Sequence, residues 1–192
     1  MNPMMFPKML FSHHEGWDWL MRVHPTVGRM YLAYVVPMSL IPPAMLLYAW
    51  HTYGTERLPG IGATQAFLLA AVLYVMQLVA VPLMAAAIQR IGAVIDAVPS
   101  FQDAFAFAAV VPTPLWIAPI ALFVPSFLFA VAAMVLAWAG SGAMIFEGAY
   151  RVFRVEDEGH GLLVAGSVFA AGLVAWVAMA GLIFVSAGLL LT

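Results

Sequence analysis

Charged residues are sparse in this chain and cluster between long apolar runs. Histidine aside, the charge-free stretches are 30–55, 58–89, 104–146 and 159–192. A membrane-crossing helix needs about 20 apolar residues at 1.5 Å rise each. The third stretch, at roughly 43 residues, would reach about 64 Å as one helix, twice a hydrocarbon core. It must turn back, and Pro125-Ser126 is the natural corner. The predicted spans are therefore about 27–50, 64–88, 104–124, 126–149 and 162–190. The expected fold is all-α: an integral membrane bundle of five transmembrane helices with a short N-terminal interfacial helix.

That short helix is read from Ser12-His13-His14-Glu15, a hydroxyl followed three residues on by a carboxylate, as in a capping box. A helix from there to Val23 places Trp17, Leu20 and Met21 on one face and His14, Asp18 and Arg22 opposite. His24-Pro25 ends it, since the residue before proline avoids helical geometry. Two places are open to the apolar face: the lipid headgroups, or the protein's own end. The chain divides into residues 1–26, a cytoplasmic segment, and 27–192, the membrane domain. The first 25 residues lack the continuous apolar core of a cleavable signal peptide.

Composition strengthens the membrane reading. The chain has 192 residues, 65% hydrophobic and 8% charged, with a mean hydropathy of +1.02. Soluble domains run near 45–50% apolar and about 25% charged. Lysine and arginine placement sets the orientation. With the N-terminus inside, Lys8, Arg22, Arg29, Arg90, Arg151 and Arg154 lie on the inner side and only Arg57 outside. Five spans then place the C-terminus outside, in a cell inner membrane. A net charge of −2 argues against a nucleic-acid partner.

Candidate chemistry is thin. Cysteine is absent and the one lysine is Lys8, so thiolate, Walker-lysine and mid-chain Schiff-base chemistry are excluded. No nucleophile elbow or zinc-protease spacing appears, and no enzyme activity or cofactor is expected. The His/acid groups 13–18 and 156–160 share the inner side, but solvated loop charge is their default reading and no metal site is assigned.

Helix breaks are the sharper signal. In span 1, Pro37, Pro42 and Pro43 each remove a helical donor, and a stranded carbonyl in lipid costs several kcal/mol unless protein satisfies it. Ser39 stands where it can help. Span 3 repeats the device with Pro112, Pro114 and Pro119. A break is expected around Ser39–Pro43, and a second at Pro112–Pro114, with Thr113 capping a helix that begins at Pro114. Val35-Val36-Pro37 and Val110-Val111-Pro112 have two readings, a repeated hairpin and, favoured, chance similarity among apolar, proline-bearing helices. Gln77, mid-span 2, bonds a neighbouring helix or lines a pore. Glu147 precedes Arg151 by four residues, the favourable order for a helical ion pair; a coupled carboxylate is the functional alternative. Ser39, Pro42, Pro43, Gln77, Pro112, Thr113, Glu147 and Arg151 are thus the candidate functional positions. Small residues four apart, Ala137 with Ser141 and Gly166 with Ala170, suit close helix packing.

The Gly16-Trp17-Asp18-Trp19 stretch, the proline-bearing 36–43 segment, the Pro112-Thr-Pro-Leu-Trp-Ile-Ala-Pro119 segment and the five-span plan together resemble the Yip family of Ypt/Rab-interacting proteins, specifically its small bacterial branch. The resemblance covers roughly residues 10–190. It implies a five-helix bundle with a cytoplasmic N-terminus and no catalytic residues. The eukaryotic branch is tied to Rab GTPases; this chain lacks its longer N-terminal region and its Asp-Leu-x-Gly-Pro-Leu-type tract, so no Rab GTPase is expected. The partners left are the lipid bilayer, other membrane proteins or further copies of the chain. The leading reading is a non-enzymatic inner-membrane protein that organises membrane or binds partners. Its rival is a small transporter, channel or lipid-translocating protein built on the broken spans 1 and 3. A sealed bundle favours the first, and a water-filled cavity reaching Ser39, Gln77 or Thr113 the second.

Overall fold

The computed structural model describes residues 15–57, 61–155 and 157–191. Among them the helices are α1 (Glu15–Val23), α2 (Val27–Met30), α3 (Val36–Met38), α4 (Ile41–Arg57), α5 (Ala63–Val94), α6 (Phe101–Val110), α7 (Thr113–Ile117), α8 (Phe127–Phe153) and α9 (Glu158–Leu191). A π-helical turn, Tyr31–Val35, joins α2 to α3, and a 3-10 turn, Ala118–Phe123, follows α7. Five helical stretches are long and apolar enough to cross a membrane: Val27–Gly54, Ala63–Val94, Phe101–Phe123, Phe127–Phe153 and Glu158–Gly188. They are spans 1 to 5 below, and the fold is an all-α membrane bundle.

Span 3 is the centre of the bundle. It packs on spans 1, 2 and 4, while span 5 lies against spans 2 and 4. The eight residues from Asp103 to Val110 are all buried, because span 3 has neighbours on every side there. Alanine at 104, 106, 108 and 109 lets those neighbours approach, and Phe105 and Phe107 fill the remaining space. Spans 2, 3, 4 and 5 form a ring by these contacts, with span 1 outside it against spans 2 and 3.

The apolar face of α1 turns to protein. Trp17 and Leu20 are fully buried, and Trp17 meets Phe107 edge-on with ring centroids 5.4 Å apart. Gly148 on α8 makes this docking possible: a Cβ there would stand 2.6 Å from Phe107 and 2.8 Å from Trp17. Of the two surroundings open to this face, the bundle's own end is the one it takes. The Ser12-based cap lies outside the described residues.

Candidate functional site

The first helix break begins before the prolines. The Pro37 ring would crowd the Ala33 carbonyl in a regular α-helix. The chain widens instead, with the Val36 N–H reaching back to the Tyr31 carbonyl in the π turn. Hydropathy gave no sign of this turn; the proline alone pointed to the neighbourhood. Residues 39–40 then form a turn, and α4 starts at Ile41. Pro42 and Pro43 thereby fall in the first turn of a new helix, where the missing donors would have had no intrahelical partner anyway.

Protein hydroxyls bond two of the carbonyls at the break. Ser39 is fully buried, and its hydroxyl donates to the Val35 carbonyl at 2.7 Å. From span 2, the Tyr74 hydroxyl donates to the Val36 carbonyl at 3.3 Å. Tyr31 donates in the other direction, to the Leu78 carbonyl at 3.1 Å.

The second break is a turn at 111–112. Here the structure corrects one expectation. The helix begins at Thr113, one residue earlier than expected, with Pro112 in the cap position, and Thr113 makes no capping bond. Its hydroxyl donates instead to the Val110 carbonyl, the back-bonding open to serine and threonine inside helices. Its remaining acceptor capacity is taken by the Tyr34 hydroxyl of span 1 at 2.6 Å. The two breaks therefore meet. They are closed by Tyr34 and Trp116, packed edge-on with centroids 6.4 Å apart and both buried.

A polar lock sits at the end of the bundle that carries α1. Ser100 caps span 3, accepting from the Asp103 N–H at 3.1 Å and donating to the Asp103 carboxylate at 2.8 Å. The other Asp103 oxygen lies 2.8 Å from His24 Nδ1. Gln102 donates to the His24 carbonyl. His24 holds a left-handed backbone, φ 40°, which ends α1 and turns both its ring and its carbonyl toward span 3. His24-Pro25 marked the end of α1 in the sequence, but not its bond to span 3, since residues 79 apart share no local signal.

The remaining candidates lie apart from these clusters. The Arg151 guanidinium donates to the Glu147 main-chain carbonyl at 3.2 Å. Gln77 is buried and donates to its own helix, to the Leu73 carbonyl at 3.2 Å. It also lines a cavity of about 120 Å³ inside the ring of spans 2 to 5. Pro112 and Ser141 line the same cavity, whereas Ser39 and Thr113 do not. Its wall is otherwise apolar and aromatic, unlike a watery passage. Ser141, read above as a packing residue, is buried with its hydroxyl unpartnered among the described residues. Outside the bundle, Asp157 caps α9, accepting from the His160 N–H at 2.9 Å and pairing with the His160 ring at 2.8 Å. These bonds, that from the His160 main chain foremost, hold its carboxyl below the usual aspartate range. Among the described residues, histidines and acids nowhere gather in threes to hold a metal.

No curated protein and no solved structure matches the chain. The Yip1 domain matches residues 8–179. That match corrects the expectation that no Rab GTPase is a partner: the family takes its name from Ypt/Rab interaction, so Rab-type GTPases return to the partners that membership implies. The family is non-catalytic and works in membrane organisation. With nearly the whole bundle inside the match, the chain belongs to the Yip1 domain family and is a non-enzymatic, multi-pass membrane protein.

Proposed function

We propose that the protein organises membrane by holding a rigid docking end at the cytoplasmic face of a cell inner membrane, as a member of the small bacterial branch of its family. The N-terminus and the loops at 95–100 and 154–157 are then cytoplasmic and the C-terminus is outside, a placement that the six-to-one distribution of basic residues supports. Residues 1–26 form the cytoplasmic segment and 27–192 the membrane domain. Ser39, Pro42, Pro43, Pro112 and Thr113 serve as a closed joint that fixes spans 1 and 3 against each other. Glu147 and Arg151 anchor span 4 at the inner interface.

One observation carries this reading: the Val35, Val36 and Val110 carbonyls at the helix breaks accept bonds from protein hydroxyls, and α1 is locked onto span 3 by Asp103 and His24. Rigidity of this kind suits a docking surface, which loses less entropy on binding when it is pre-ordered. Val23, Val94, Val98 and Phe101 stand exposed around the locked end and offer apolar contacts to a partner.

Photo-crosslinkers placed at Val98 and Phe101, and separately at lipid-facing Val177 and Phe184, test it in cells. Crosslinks to discrete proteins, small GTPases included, are expected from the first pair alone. Crosslinks to lipid only from all four positions would overturn the docking role.

A further inference from the structure

The docking role leaves the cavity unexplained. Four spans line it, and small residues on its wall leave the space open: Ala80, Ala108, Gly172 and Ala175. A Cβ added at Gly172 would meet nothing within 4 Å. Its volume of about 120 Å³ is close to the ~150 Å³ apolar cavity that accommodates one benzene ring. Trp116, Trp138 and Trp176 face it, and Trp138 and Trp176 stand edge-to-face at 5.3 Å.

Two polar groups break this apolar wall. Ser141 is 3% exposed, lines the cavity and has a hydroxyl with no hydrogen-bond partner among the described residues. Leaving such a group unpaired is costly, and a ligand oxygen would relieve that cost. Gln77 lines the cavity too, and its single described donation to Leu73 leaves amide capacity unused. Both residues lie near the centres of their helices, hence near the bilayer midplane. The ester oxygens of a phospholipid lie about 15 Å away at the edge of the core, and an acyl chain at this depth brings no polar atom.

We propose that this cavity binds a membrane-soluble molecule with a single planar ring carrying a hydroxyl or carbonyl oxygen. The ring packs among the tryptophans, in the offset and edge-on geometries that aromatic groups favour. The oxygen bonds to the Ser141 hydroxyl, with Gln77 as a second polar contact. Gly172, Ala175 and Trp176 of span 5 line the cavity and are only partly buried, so its mouth is reached from the lipid side.

The test uses the full-length protein in lipid nanodiscs, with 4-bromophenol as the probe and its heavy-atom quenching of tryptophan fluorescence as the signal. Quenching that saturates is expected. Ser141→Ala should weaken 4-bromophenol about 5-fold and leave bromobenzene unchanged. Gly172→Leu, which fills the space, should remove the saturable component; should it fail to fold, Ala175→Val fills the same wall. Linear quenching alike in every variant would overturn the site. Equal binding of bromobenzene and 4-bromophenol, untouched by Ser141→Ala, would overturn oxygen recognition. Saturable quenching by acyl-brominated phosphatidylcholine, lost in Gly172→Leu, would make the occupant a lipid tail and overturn the proposal.

Discussion

Spans 3 and 5 are both apolar enough to cross a membrane, yet the protein uses them in opposite ways. In span 3, 44% of the most apolar window is buried in the protein; in span 5, 6% is, although span 5 is the more hydropathic. In water the more apolar helix would go inside. In a bilayer lipid is as apolar as leucine, so hydropathy does not decide burial and bonds between elements weigh more. Both spans are rich in small residues, but span 3 also has the Asp103 lock and the Thr113–Tyr34 bond. Span 5 offers lipid-facing leucine, valine and phenylalanine outward, and toward the bundle a glycine- and alanine-lined wall of the cavity.

The largest effect is expected where α1 meets span 3. Gly148→Val places methyl groups where Trp17 and Phe107 already touch. Overpacking of this kind costs about 1–3 kcal/mol. The detergent-solubilised protein should melt at lower temperature, and trypsin should cut at Arg22 or Arg29 before the bundle unfolds. Wild-type protease resistance would show that α1 does not need this contact.

Thr113→Val keeps the shape but removes an acceptor of the buried Tyr34 hydroxyl. A loss of about 1–3 kcal/mol follows, recovered in part when Tyr34→Phe is added. Additive losses in the double variant would mean the two residues are not coupled.

Asp157→Ala should have a smaller, local effect. It removes the cap of span 5, so amide exchange should quicken only in the first turn of α9. Because the folded carboxyl titrates below its ordinary range, the cap's contribution is complete above the unfolded aspartate value of about 3.9. It fades only as pH falls through the lower folded value. Fraying that begins already near pH 6 would contradict this arrangement.

Phe184→Leu, on the lipid-facing side of span 5 where Phe184 is 83% exposed, should shift stability by less than about 0.5 kcal/mol. A large loss would indicate a protein neighbour in the membrane, such as a second copy of the chain.

The same contrast explains what could be read from the sequence. The five-span bundle was legible because charges interrupt the apolar runs, and the breaks because proline cannot donate. The π turn at Tyr31–Val35 was not, since it is the chain's local response to the Pro37 ring. Hydroxyl roles were hard to assign for a related reason. Thr113 looks like a cap beside Pro114, but a buried tyrosine from another span takes part in its bonding. Trp17 and Leu20 gave a clear amphipathic face, yet lipid and protein interior are equally apolar, so hydropathy could not choose between them. The cavity was least legible. Ser141, four residues from Ala137, reads as a packing pair, and only the three-dimensional ring of spans shows the space beside it.

The central claim is that the joint between spans 1 and 3 is sealed. The chain has no cysteine, so single cysteines report their surroundings without background. Ser39→Cys and Val98→Cys would be compared in right-side-out and inside-out vesicles with a small membrane-impermeant methanethiosulfonate. The account predicts rapid labelling of Val98→Cys from one side and no labelling of Ser39→Cys from either. Labelling of Ser39→Cys from either side would reveal a water path at the joint and contradict the closed-bundle account.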